Sequence, residues 1–174
     1  MSREKGSGLG GYFNPDKQTD PQKRLDDANA LLLIACHAGD FEKVVEVVEK
    51  YNPDLNTGNP RALFWALNAC NGEGCNGEKI IKYLIDNGAE VDFRHGPLSW
   101  EDNQKPYFVC FVADNDYASD EVVHFVVSKS SKEALSDRNR GRFEPLNAFD
   151  IIKEKRPMLY KKLVNEGLVD SLRR

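Results

Sequence analysis

Ile80-Ile81-Lys82-Tyr83-Leu84-Ile85-Asp86-Asn87-Gly88-Ala89-Glu90-Val91-Asp92 is the stretch that decides the fold. Ile80 to Ile85 supplies a helix, and Gly88 is placed to take its left-handed C-cap, a conformation that costs glycine no Cβ clash. Upstream, Arg61-Ala62-Leu63-Phe64-Trp65-Ala66 opens a partner helix. The same opening occurs one step earlier as Leu32-Leu33-Ile34-Ala35. There, Asp20 can N-cap a helix whose first position is Pro21. Leu25, Ala28, Leu31, Leu32, Ala35 and Cys36 follow at helical spacing, and Gly39 stops the run. Asp40 then caps a second helix with Phe41, Val44, Val45, Val47, Val48 and Tyr51 largely on one side and Glu42, Glu46, Glu49 and Lys50 on the other. Two short helices joined by a tight turn cannot bury an apolar face alone, so the unit has to repeat.

A third unit is legible in Lys105-Pro106-Tyr107-Phe108-Val109-Cys110 followed by Glu121 to Val127. A fourth runs through Asn147 to Lys155, then Pro157 to Val164 and Glu166-Gly167. In these motifs the chain resembles the ankyrin-repeat family, whose signature is T-P-L-H-x-A, a helical hairpin, then G-A-D-V-N. Placing Leu32, Leu63, Tyr107 and Phe149 at the family's Leu gives spacings of 31, 44 and 42, against a family period of about 33. Inserted loops account for the excess: Cys70 to Cys75, the connection through Pro97 to Asp102, Asp114 to Asp120, and a long connection from Ser128 to Pro145. The resemblance implies an all-α fold: an ankyrin-repeat solenoid of stacked helix-turn-helix units with extended loop or hairpin insertions. Residues 21–170 form one domain with units near 21–57, 58–93, 94–137 and 138–170, between a flexible leader at 1–20 and a tail at 171–174. The last unit reads as a cap, with Lys153, Lys155, Lys161 and Lys162 facing water.

Composition bounds the function. The 174 residues carry 24 Lys+Arg against 28 Asp+Glu, a formal charge of -4, which lacks the basic field of a general nucleic-acid binder. The longest apolar runs, seven residues from Ala30 and from Tyr107, fall well short of the roughly 18 a membrane helix needs. The first twenty residues have no apolar core of signal-peptide type, so Cys36, Cys70, Cys75 and Cys110 read as reduced thiols and a cytoplasmic or nuclear location is the default. Neither membrane nor nucleic-acid partners are expected, and the isolated chain is expected to be monomeric.

The residues offer little chemistry. Cys36 and His37 are neighbours on a helix and point about 100° apart, so they form no nucleophile and base pair. No hydrolase elbow, phosphate loop, zincin or dinucleotide fingerprint occurs, and neither enzymatic activity nor a cofactor is expected. Cys70 and Cys75 flank a glycine-rich loop and could share a zinc ion, with His95 or Cys110 completing it, or respond to redox change. Asp114-Asn115-Asp116 with Asp120-Glu121 lacks the glycine and terminal Glu of a calcium loop and reads as a solvated turn, Asp120 capping the next helix. His124 reads as a partly buried helix residue, and His95 sits before a Gly-Pro turn with no partner in sequence.

The resemblance implies a binding surface made of hairpin fingers and the concave side of each unit's first helix. His37-Ala38, Asn68-Ala69 and Val112-Ala113 stand at the matching helix positions, where small side chains leave a groove. The fingers carry Arg61, then Arg94, His95 and Trp100, then Arg138, Arg140 and Arg142, a basic set on an acidic chain. Arg and Trp dominate binding hot spots. Trp65, inside a first helix, is expected in the core, and Asn56 to bond the turn between units. The expected function is protein recognition by an adaptor, scaffold or stoichiometric inhibitor. Its partner presents an acidic or phosphorylated segment to Arg61, Asn68, Arg94, His95, Trp100, Arg138, Arg140 and Arg142. The alternatives are a metal- or redox-responsive module at Cys70 and Cys75, and a phosphate or RNA binder at Arg138, Arg140 and Arg142.

Overall fold

The structure, a computed structural model, describes residues 13–71, 75–96, 99, 101, 104–138 and 146–169. Among them it is all-helical, with nine α-helices, one short 3-10 turn and a single antiparallel bridge in place of any strand. Helix α1 (Pro21–Ala38) starts where the Gln22 N–H donates to the Asp20 carboxylate at 2.9 Å and stops at Gly39, whose φ is 66°. In the same way Asp40 accepts the Lys43 N–H at 3.0 Å and starts α2 (Phe41–Tyr51). The next pair is α3 (Ala62–Asn68) and α4 (Asn76–Asp86), and the third is α5 (Phe108–Asp114) and α6 (Asp120–Lys129). A short α7 (Lys132–Ser136) precedes the last pair, α8 (Ala148–Lys155) and α9 (Pro157–Asn165).

The helices stack in two layers. In one, α1 packs on α3 and α5 on α8, with the Phe64 and Phe111 rings 5.1 Å apart bridging α3 to α5; in the other, α2 packs on α4, α4 on α6 and α6 on α9. The apolar stripe of each helix meets its neighbours in one continuous core, where Leu32, Leu63, Tyr107 and Phe149 are all buried. Corresponding turns are tied alike: Asn56 accepts the Glu90 N–H at 2.8 Å, and Asp92 accepts the Ser131 N–H at 2.9 Å. Asn56 therefore has the turn-bonding role read from its position.

Four local features depart from the sequence reading. Residues 13–20 do not belong to a leader free of the domain. Phe13 packs on the core, the Asn14 N–H donates to Asp27 at 3.1 Å, and Asp16 accepts from Lys50 at 2.6 Å and from the Tyr51 hydroxyl at 3.0 Å. The long connection after α6 contains α7, whose Ala134 and Leu135 are buried because they cover α5 and α8. Ser119 rather than Asp120 caps α6, leaving Asp120 to pair with Arg156 at 2.7 Å. The Asp114 to Asp116 turn is not merely solvated, since Lys155 donates to the Asp114 carbonyl at 2.8 Å and to Asp116 at 2.9 Å.

One carboxylate is buried among the described residues. Glu78 in α4 accepts the Ser119 N–H at 2.6 Å and the Ser119 hydroxyl at 3.0 Å, fixing the start of α6 on α4. Both oxygens are thereby satisfied, as buried polar atoms require.

Candidate functional site

Helix α1 carries four consecutive large apolar residues, Leu31, Leu32, Leu33 and Ile34, and at 100° per residue a helix cannot point four neighbours into one core. Leu31 and Leu32 are buried, whereas Leu33 and Ile34 are only half-buried. Helix α3 repeats the arrangement, with Leu63 buried and Phe64 and Trp65 half-exposed. Leu33, Ile34 and Trp65, with Phe13, Ala30, His37, Asn59 and Pro60, line an open, almost wholly apolar cleft of about 400 Å3. The His37 ring meets Trp65 edge-on with centroids 4.7 Å apart. Gly58, at φ 89°, lies close against Leu33: a Cβ there would stand 3.0 Å from the Leu33 Cδ1 and from the Pro60 carbonyl oxygen. Trp65, expected in the core, is partly buried and packs against it, and it also lines the cleft.

A finger rises beside the cleft. The His95 N–H donates to the Pro106 carbonyl at 3.0 Å and the Phe108 N–H to the Phe93 carbonyl at 2.9 Å, which pairs residues 93–95 with 106–108. Its base is braced by α7 and the residue after it. Arg94 lies over the Tyr107 ring at 4.0 Å and donates to Asp137 at 2.9 Å, and the Tyr107 hydroxyl donates to Glu133 at 2.9 Å. His95, without a partner in the sequence, packs on Phe64 at 4.1 Å and faces Phe111 at 5.9 Å. Burial there lowers its pKa, and the Lys105 charge acts in the same direction. Arg61 pairs with Glu90 and lies over the Phe93 ring at 4.8 Å.

The residues expected to bind thus separate into three groups. Arg61, Arg94 and His95 come together with Lys105 around a smaller pocket of about 200 Å3, but the two arginines are anchored by carboxylates instead of projecting freely. Asn68 is exposed at the end of α3, and Arg138 is exposed beyond α7. Trp100, Arg140 and Arg142 lie outside the described residues. Of the small-residue pairs expected to leave a groove, His37-Ala38 is exposed, whereas Val112 and Ala113 are fully buried beneath the α7 and α8 packing.

The cysteine loop has a different character. Burial pushes the Cys70 thiol up, with the Cys75 thiol beside it acting the same way, and Cys70 donates to the Ala66 carbonyl at 3.7 Å. A thiol held protonated is a poor start for a zinc ligand. Residues 72–74 lie outside the described residues, and among the described ones no three His, Cys, Asp or Glu side chains gather as a metal site. Cys36 is buried and raised to about 12 by desolvation. His124, half-buried as expected, bonds Glu166 at 2.6 Å between α6 and α9. No described helix is long and apolar enough to cross a membrane.

No family model, curated protein or solved structure matches the chain. The functional reading therefore rests on the cleft.

Sequence reasoning missed the main wall of the site: Leu33, Ile34, Trp65 and Phe13. The signal was present in the two apolar tetrads Leu31 to Ile34 and Leu63 to Ala66, which are longer than a one-sided helix can bury.

Proposed function

We propose that the chain is a non-enzymatic protein-recognition module of the ankyrin type, and that it holds a segment of a partner protein in the cleft between α1 and α3. The observation that carries this reading is that cleft, an apolar cavity lined by partly buried Leu33, Ile34 and Trp65. Contiguous apolar surface left open to water marks interaction sites. A tryptophan in such a position contributes about 2 kcal/mol or more to association. The ankyrin assignment is supported by the order of helix packing, by the equivalent turn bonds at Asn56 and Asp92, and by the paired finger before α5. The mechanism is docking on a preformed surface, where little ordering entropy is lost.

A photoreactive residue substituted for Leu33 tests it. Cross-linking in a native extract is expected to label a partner from this position and not from Glu49 on α2, and Trp65→Ala is expected to cut the labelling at least about tenfold. Equal labelling from both positions, or labelling indifferent to Trp65→Ala, would overturn the reading.

A further inference from the structure

Cys70 and Cys75 bracket the turn between α3 and α4. Cys70 follows Ala69, the C-cap of α3, and Cys75 is the N-cap residue of α4. The two helices are pressed together at this turn: a Cβ on Gly77, two residues after Cys75, would stand 2.8 Å from the Cys70 nitrogen and 2.9 Å from the Ala69 carbonyl carbon. Cys75 packs on the core to which Cys70 belongs, and its thiol lies beside that of Cys70.

The two thiols differ in reach. Cys70 is only 5% exposed, and its S–H donates to the Ala66 carbonyl at 3.7 Å. Cys75 is half-buried and its side chain makes no capping bond to α4, so its sulfur is open to a reagent from solvent. The other two cysteines of the chain, Cys36 in α1 and Cys110 in α5, are buried. A zinc ion would need both sulfurs of the turn as thiolates, which burial opposes at Cys70. A disulfide carries no charge and suits the edge of an apolar core.

We infer that Cys70 and Cys75 form a reversible disulfide, a redox-sensitive staple across the turn between α3 and α4. The reagent is a small-molecule disulfide. The Cys75 thiolate attacks one of its sulfurs, which breaks that S–S bond and forms a mixed disulfide; the first small thiol leaves with the proton Cys75 gave up. Cys70 then gives up its own proton and attacks the Cys75 sulfur, forming the intrachain bond and releasing the second small thiol. Two protein thiols are oxidised, and one small disulfide is reduced to two thiols. Neither cysteine lines the cleft, so the inference is independent of the recognition reading.

Equilibration of the reduced full chain in glutathione buffers of rising disulfide content tests it, read by intact mass and by mapping the thiols alkylated after unfolding. The expected product is a chain two hydrogens lighter, with Cys70 joined to Cys75 and with Cys36 and Cys110 still alkylated. Closure is expected to be at least about tenfold more favourable in the folded chain than in the same chain in urea, where only the short intervening sequence brings the pair together. Cys70→Ser is expected to stop at a glutathione adduct on Cys75, and Cys75→Ser to leave Cys70 unmodified. The comparison of folded chain with chain in urea uses the unaltered protein and stands even where either variant unfolds. Closure no more favourable in the folded chain than in urea, a Cys75 glutathione adduct that persists in the unaltered chain, or a disulfide at Cys36 or Cys110 would overturn the inference.

Discussion

The α1 to α4 half and the α5 to α9 half bury their helix pairs alike but treat the exposed side of the first helices in opposite ways. In the first half, Leu33, Ile34 and Trp65 stay half-exposed around the cleft. In the second, Val112 and Ala113 are fully buried and α7 packs on α5 and α8. The edge is then latched by charge: Lys155 reaches Asp114 and Asp116, and Arg156 donates to Asp120 at 2.7 Å and to the Asn115 carbonyl at 2.6 Å. The difference lies in the connections. The described segment between α2 and α3 has no helix of its own, whereas the one between α6 and α8 carries α7. One architecture can therefore present an open apolar face or a closed one, according to what its loops contribute.

The contrast can be broken most severely at Gly77. A Cβ there would stand 2.5 Å from the Ala66 carbonyl oxygen and 2.8 Å from the Cys70 nitrogen, both backbone atoms that cannot yield without moving α3 from α4. Gly77→Ala is expected to cost about 3 kcal/mol in urea unfolding and to deform the open half. Next comes the junction of the halves: Glu78→Ala leaves the Ser119 N–H and hydroxyl without their carboxylate, at an expected cost of about 2 kcal/mol by the same measurement. Arg156→Ala removes the latch of the closed half and is expected to cost about 1 kcal/mol, less at high salt.

The smallest expected effect is one of pH. Because the folded state lowers the His95 pKa below 6.5, the neutral ring is favoured in the fold; its contribution is present above that value and is lost as pH falls through the lowered one. Wild type is therefore expected to lose more stability than His95→Phe between neutral pH and mildly acidic pH, as read from paired denaturation midpoints. An equal loss in both proteins would show that His95 is not desolvated.

The helix pairs were legible because their signals are local: Asp20 and Asp40 as caps, Gly39 as a stop, apolar residues at helical spacing. Order at Phe13 to Asp20 was not, because its partners Asp27, Lys50 and Tyr51 are distant in sequence and the segment itself is polar. The site was half legible. The basic finger residues were visible by type, but their pairing with Glu90 and Asp137 is a tertiary fact. Trp65 was assigned to the core because a helix pattern gives phase but not the width of the buried stripe.

The central claim is that a partner segment buries Trp65. A Trp100→Phe variant leaves Trp65 as the only tryptophan of the chain and so as its only reporter. On adding a peptide of the partner segment cross-linked at Leu33, its fluorescence is predicted to shift to the blue and to become shielded from acrylamide quenching as the peptide saturates. Unchanged emission and unchanged quenching with the peptide demonstrably bound would contradict the account.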